Sequence, residues 1–172
     1  MIKLRPHQIK YAKKVSGALN KYNIVYLFGE VRSGKTLTAL KVAESFNNVL
    51  FITKKKAIPS ILKDYNNFGF NYSLEVINYE SMHKVENKMP DLVIYDEAHT
   101  LGGFPKPSQR TKLAKKMFGP IPTILMSGTP CAESMSQLYH QFYVSDFSPF
   151  KDYKNFYKWA KYYVNVTKKH LA

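Results

Sequence analysis

The chain has 172 residues, 45% of them hydrophobic and 22% charged, which is typical of a folded globular protein and excludes a disordered chain. This length predicts one domain over residues 1–172, with a single substantial core. Lys and Arg total 26 against 12 acidic residues, a formal net charge of +14, so nucleic acid is the first candidate partner and a merely well-solvated surface is the alternative.

Apolar runs typical of β-strands alternate with segments of helical spacing along the chain. The predicted strands cover residues 24–28, 49–53, 74–77, 92–96 and 121–127. The predicted helices cover residues 6–19, 35–46, 58–68, 108–118, 134–142 and 152–164. In the first helix, Ile9, Ala12, Val15 and Leu19 form one apolar stripe. The alternation predicts an α/β fold, in which a parallel β-sheet has helices on both faces.

A glycine-rich segment joins the first predicted strand to the second predicted helix. Residues 29–36 read Gly-Glu-Val-Arg-Ser-Gly-Lys-Thr and fit the phosphate-loop pattern Gly-x-x-x-x-Gly-Lys-[Ser/Thr]. Backbone N–H groups of such a loop and the start of the following helix point at one anion. Lys35 would contact the outer phosphates and Thr36 would offer its hydroxyl to Mg²⁺. We therefore predict that a nucleoside triphosphate binds at Gly29, Ser33, Gly34, Lys35 and Thr36.

Two carboxylates follow the buried-strand run at residues 92–95. Phosphoryl transfer to water needs a metal ligand and a group that orients or deprotonates the attacking water. Asp96 suits the first role, holding Mg²⁺ through water, and Glu97 suits the second. An Asp-Glu pair in an ordinary solvated loop is the alternative. The phosphate loop upstream favours catalysis, with Lys35, Asp96 and Glu97 as the catalytic residues.

Further motifs occur in a characteristic order. They are Leu4-Arg5-Pro6-His7-Gln8, Phe51-Ile52-Thr53-Lys54-Lys55, Ile77-Asn78-Tyr79-Glu80-Ser81, the DEAH box Asp96-Glu97-Ala98-His99, and Ser127-Gly128-Thr129-Pro130. Together with the phosphate loop, these motifs resemble those of the first RecA-like domain of superfamily two helicases and translocases, particularly the Swi/Snf-like, chromatin-remodeller branch. The resemblance extends from Leu4 to about Phe147.

The resemblance implies a RecA-like P-loop NTPase domain that uses ATP and Mg²⁺. It implies that Gln8 pairs with the adenine base and that Ser127 and Thr129 couple hydrolysis to nucleic-acid engagement. It further implies that the nucleic-acid backbone, with DNA favoured over RNA, is contacted by Thr53, Lys54 and Lys55.

Members of this family carry a second RecA-like domain, and nothing after Pro130 resembles it. That domain's arginine finger contributes a factor of ~10³ to 10⁵ in rate. We therefore expect the chain to be the amino-terminal half of a two-domain motor, and to hydrolyse ATP slowly by itself.

Three other functions remain open from the sequence. One is a small-molecule phosphotransferase, which would also use a phosphate loop. Another is a nucleotide-binding module that recruits nucleic acid without motor activity. The last is a helicase directed at RNA, since backbone contacts do not identify the sugar.

Cysteine content and the length of the apolar runs predict the cellular compartment of the protein. Cys131 is the only cysteine, which excludes an internal disulfide and fits a reducing compartment. The apolar runs are shorter than the roughly 20 residues of a membrane span, and the first residues lack a signal core. We therefore expect a soluble, cytoplasmic protein without a membrane partner. The compact amino terminus suggests a viral or mobile-element gene, acting in an infected host cell.

Overall fold

The computed structural model describes residues 4–30, 32–85, 89–131 and 134–165. The strands are β1 (Ile24–Phe28), β2 (Asn48–Thr53), β3 (Ser73–Asn78), β4 (Leu92–Tyr95) and β5 (Thr123–Ser127). The helices are α1 (Pro6–Tyr22), α2 (Lys35–Ala43), α3 (Ile58–Phe68), α4 (Gln109–Phe118), α5 (Gln137–Tyr143) and α6 (Phe156–Tyr163). Short 3₁₀ turns follow β2, β3 and β4.

Within the described residues, the strands form one five-stranded sheet in the order β1-β5-β4-β2-β3, with every neighbouring pair parallel. Phe28 pairs with Ser127, and Ile52 pairs with Tyr95. The carboxyl ends of β1, β5, β4 and β2 therefore lie at one edge. Because ligands bind at this edge in open parallel sheets, we expect the nucleotide site to lie there.

Alternating residues of the central strands bury two separate cores. Phe51 and Ile94 pack with α1, α2 and α3 on one face, whereas Ile52 and Tyr95 pack with α4 on the other. Strands buried on both faces are apolar at every position, and all four residues of β4 are buried. The predicted α/β fold with helices on both faces of a parallel sheet is confirmed.

The buried stripe of α1 differs from the prediction at one position. Ala12, Val15 and Leu19 are buried as expected, but Ile9 is 42% exposed and Gln8 is only 5% exposed. Gln8 lies four residues before Ala12, so it continues the helical stripe in place of Ile9. The polar end of this buried side chain is satisfied, because its Oε1 accepts a hydrogen bond of 2.8 Å from the Arg5 N–H.

Candidate nucleotide-binding site

The phosphate loop leaves β1 after Phe28 and enters α2 at Lys35. Gly34 has φ of +85°, a left-handed conformation that glycine adopts at little cost. A Cβ at this position would lie only 2.3 Å from Nε2 of Gln8. The left-handed backbone therefore favours glycine at position 34, and the close approach shows that Gln8 lies directly against the loop.

Lys35 is the first residue of α2 and folds back over the loop. Its Nζ donates to the Gly29 carbonyl at 2.7 Å and to the Glu30 carbonyl at 2.8 Å. Among the described residues, no carboxylate forms an ion pair with Lys35. Because its partners here are neutral, the ammonium is suited to meet an anion. Thr36 follows in the first turn of α2, the positive end of the helix dipole.

Asp96 lies directly after β4 and is held by contacts from the end of β2 and from the turn that follows β3. The Thr53 hydroxyl donates to Oδ2 of Asp96 at 2.8 Å, and the Tyr79 hydroxyl donates to the Asp96 carbonyl at 2.6 Å. Burial raises the pKa of the Asp96 carboxyl, while the Thr53 hydrogen bond and the Lys35 charge oppose that rise. The phosphate loop follows β1 and the acidic box follows β4, so the two lie at the same edge of the sheet with only β5 between them.

The surroundings of Asp96 fit a divalent cation that also binds phosphate. A buried carboxylate whose charge is only partly compensated is stabilised by an added cation. In the part of the chain that the structure describes, no group of three or more His, Cys, Asp or Glu side chains is clustered to hold a metal. Mg²⁺ does not need such a group, since it usually binds through one or two protein ligands, phosphates and water.

Glu97 has an unusual backbone conformation, with φ of 52° and ψ of 44°. A non-glycine residue in this region is strained by about 1–3 kcal/mol, and such strain concentrates at functional sites. Oε2 of Glu97 lies 3.2 Å from Nδ1 of His99, whose same nitrogen lies 3.0 Å from the Ser127 Oγ. The backbone turn therefore directs Glu97 toward the end of β5.

Ser127 ends β5 and is buried, with 1% of its surface exposed. Its Oγ accepts a hydrogen bond of 3.1 Å from the Thr129 N–H. Together with the His99 contact, this joins the Ser-Gly-Thr-Pro loop to the acidic box. The structure thus brings Glu97, Ser127 and Thr129 together, although their numbering separates them.

A cavity of about 350 Å³ opens beside the phosphate loop. It is lined by Arg5, Gln8, Arg32, Ser33, Gly34, Leu37, Asp64 and Phe68. Sequence reasoning identified Gln8, Ser33 and Gly34 but missed the α3 residues Asp64 and Phe68. Their spacing of four residues indicates a shared helical face, yet nothing in the local sequence indicates that this face borders the loop.

The residues expected to contact nucleic acid differ in their exposure to solvent. Lys54 and Lys55 are exposed at the carboxyl edge of the sheet. Thr53 is completely buried, and its hydroxyl is engaged by Asp96. The geometry therefore assigns Thr53 to the acidic box and not to the surface, which differs from the sequence-based expectation.

The fold has a counterpart among solved structures. The chain superposes on a nuclease-deletion mutant of the Type ISP restriction-modification enzyme LlaGI, solved in complex with a DNA substrate mimic, with a TM-score of 0.57 and 14% identity. The match covers 81% of this chain but only 19% of that one. This likeness shows the fold alone, an α/β domain built on a five-stranded parallel sheet.

No protein-family model and no curated protein matches the chain. Among the helices of the described residues, none combines the length and apolar character that crossing a bilayer demands.

Proposed function

We propose that the chain is the ATP-binding domain of a nucleic-acid-dependent helicase or translocase, from the Swi/Snf-like branch of superfamily two. The observation that carries this proposal is the placement of the phosphate loop, with Lys35, and the acidic box, with Asp96, at one edge of the sheet, after β1 and β4 and with only β5 between them. The two residues are far apart in sequence, and a nucleotide-hydrolysing site of this kind requires them on one ligand.

Each residue of the site has a separate role. Lys35 neutralises charge on the outer phosphates, and the N–H groups of the loop hold the remaining oxygens. Thr36 and Asp96 would hold Mg²⁺, which would neutralise part of the charge on the phosphates. Glu97 orients the attacking water and accepts its proton. Thr53 keeps the Asp96 carboxylate in place through its hydrogen bond.

The cavity beside the loop is suited to the adenine base. Gln8 lies in its wall with Nε2 close to Gly34, so an amide group borders both base and phosphates. Phe68 offers an apolar surface to the flat ring from the α3 side. These positions support ATP as the nucleotide.

DNA is the proposed polymer substrate, and the rest of the motor would complete the site. The net charge of +14 and the exposed Lys54 and Lys55 support attraction to a phosphate backbone. The LlaGI structure contains a DNA substrate mimic. Because this chain spans about a fifth of that protein's length, we propose that a second RecA-like domain supplies the arginine that closes the nucleotide site.

The test separates binding from hydrolysis with two variants. Lys35→Ala removes a charge-assisted contact and should weaken ATP binding by about tenfold or more. Glu97→Gln keeps the shape of the side chain and should retain ATP affinity while single-turnover hydrolysis falls by about 10² or more. Lys13→Ala and Glu75→Gln, at exposed positions, are the matched controls. Normal hydrolysis by Glu97→Gln would show that Glu97 is not the catalytic base.

A further inference from the structure

The outward side of α6 carries two tyrosines and two lysines that belong to none of the motifs. Tyr157 is 66% exposed and Tyr162 is 73% exposed. Lys158 and Lys161 are also exposed. With 3.6 residues per turn, these four positions lie on the side of the helix opposite its buried residues. Flat aromatic rings and ammonium groups therefore share one solvent-facing surface, which we call the α6 face.

The lysines of the α6 face are available to an anionic partner. Among the described residues, neither Lys158 nor Lys161 forms an ion pair. The helix itself contains no acidic residue. The chain has a net charge of +14, so two copies repel each other when their α6 faces approach. A polyanion therefore complements this surface better than a second copy of the chain does.

A cavity beside the α6 face continues the same chemistry. The ring centroids of Tyr162 and Tyr153 are 5.9 Å apart, and Tyr153 also lines this cavity of about 240 Å³. Tyr143 belongs to the same lining, as do the exposed Lys151 and Lys154. These two lysines form no ion pair within the part of the chain that the structure describes. Aromatic rings and ammonium groups thus extend beyond the helix.

At its other end, the α6 face reaches the loop that follows the acidic box. Phe104 in this loop is 70% exposed, and its ring centroid lies 5.3 Å from that of Phe156. The Phe156 ring centroid in turn lies 5.6 Å from that of Tyr157. Because the acidic box follows β4, this loop leaves the carboxyl edge of the sheet. The aromatic surface therefore leads away from the edge where we place the nucleotide site.

Rings interleaved with lysines suit an unpaired strand better than a duplex. Bases of a single strand offer flat faces that stack on aromatic side chains, and lysines hold the backbone between them. In a duplex these faces are already stacked on one another. We propose that the α6 face binds single-stranded nucleic acid, with bases on Tyr157 and Tyr162 and phosphates on Lys158 and Lys161. The inference rests on the proposed function for its role in a motor, but strand binding can be measured without ATP.

The first test removes the two rings with the double substitution Tyr157→Ser and Tyr162→Ser in the whole 172-residue chain. Affinity for a labelled oligothymidylate should fall about tenfold or more, as expected when at least one base loses its stacking partner. Affinity for duplex DNA should change less than about twofold. The slope of log affinity against log salt should stay the same for both, because no charge is removed.

Helix α1 provides the matched control for the aromatic rings. Tyr11 and Tyr22 are 51% and 55% exposed, so they resemble the α6 tyrosines in exposure. They lie about three helical turns apart and do not form a continuous aromatic surface. The double substitution Tyr11→Ser and Tyr22→Ser should therefore leave oligothymidylate affinity within about twofold of the parent chain.

The second test removes the two charges and keeps the rings. Each phosphate contact to a single strand contributes about −0.7 to the slope of log affinity against log salt. Lys158→Ala with Lys161→Ala should therefore reduce that slope by about 1.4 for oligothymidylate. Lys13→Ala with Lys14→Ala removes the same charge from exposed positions on α1 and should change the slope much less.

The outcomes separate the inference from the function on which it rests. Unchanged oligothymidylate affinity in a folded Tyr157→Ser and Tyr162→Ser chain would overturn the inference, as would an equal loss in the α1 control. Unchanged affinity with an altered sedimentation coefficient would also overturn it and assign the α6 face to contact between protein chains. The predicted losses in a chain that hydrolyses no ATP would support the α6 face and contradict the proposed motor. Normal strand binding by both α6 variants beside ATP hydrolysis would overturn the inference alone.

Discussion

At the scale of single residues, the buried negative charge of Asp96 does not stabilise the nucleotide-free fold. Burial raises the pKa of its carboxyl above the ordinary aspartate value. Ionisation of Asp96 therefore destabilises the folded state relative to the unfolded one. Stability from this residue is therefore highest at low pH and falls as pH rises through the folded-state pKa. A bound cation would reverse that loss.

We predict that Asp96→Asn raises the melting temperature of the nucleotide-free chain at neutral pH. The amide oxygen can still accept the Thr53 hydrogen bond, but the buried charge is gone. The same variant should lose the stabilisation that the parent chain gains from ATP with Mg²⁺. Thermal melts of both chains, with and without Mg²⁺-ATP, check this, and Asp152→Asn at an exposed position is the control. A lower melting temperature for nucleotide-free Asp96→Asn would contradict it.

The sequence predicts those residues of the candidate site that lie next to one another in the chain and form a short motif. Lys35 and Thr36 follow Gly34 in one loop, so a short pattern identifies all three. Thr53 and Asp96 are 43 residues apart, and only folding brings their side chains together. No local pattern distinguishes a threonine that holds a carboxylate from one at the surface, which is why sequence reasoning placed Thr53 among the nucleic-acid contacts.

At the scale of elements, α5 and α6 share a small aromatic core of their own. Tyr139, Phe156 and Trp159 form its buried centre. His140 of α5 is 2% exposed and stacks on Phe156 of α6. Its Nδ1 contacts the Gly103 carbonyl at 2.8 Å. Burial lowers the pKa of His140, although the Gly103 hydrogen bond opposes this. This element therefore carries a buried neutral imidazole.

We predict that His140 makes the fold sensitive to mild acid. Because its folded-state pKa is below the unfolded value of 6.5, the unfolded chain binds the proton more readily. Stability is complete above the unfolded pKa and declines as pH falls from there toward the folded pKa. His140→Asn should lower stability at neutral pH, through lost packing, but flatten its dependence on acid. Urea unfolding across that pH range measures the slope, and an equally steep acid loss in the variant would contradict the prediction.

Elements were predicted better in their order and type than in their ends. Apolar runs buried on both faces identify strands such as β4 without further information. The start of α6 was predicted at residue 152, whereas the helix begins at Phe156. The side chain of Asn155 accepts the Lys158 N–H at 3.0 Å and so caps the helix there. Such a cap depends on local geometry that helical periodicity does not reveal.

At the scale of the whole molecule, the net charge of +14 is a long-range attraction that must be distinguished from specific contact. Lys54 and Lys55 lie at the sheet edge beside the proposed nucleotide site, whereas Lys13 and Lys14 are exposed on α1. Each phosphate contact to duplex DNA contributes about −0.9 to the slope of log affinity against log salt.

We predict that Lys54→Ala with Lys55→Ala reduces that slope by about 1.8 for duplex DNA, as expected for two lost phosphate contacts. The pair Lys13→Ala with Lys14→Ala removes the same charge and should change the slope much less. Titration of labelled duplex at several salt concentrations measures both. Equal slopes for the two double variants would show that charge alone, without a defined track, attracts DNA.

The measurement that tests the central claim most directly is a crystal structure of the chain with Mg²⁺ and a non-hydrolysable ATP analogue. We predict the triphosphate in the loop of residues 29–36, with Lys35 on its outer phosphates and the metal between Thr36 and Asp96. Glu97 should face the terminal phosphate across one water. A triphosphate bound elsewhere, or an acidic box turned away from it, would contradict the assignment of these residues to one hydrolytic site.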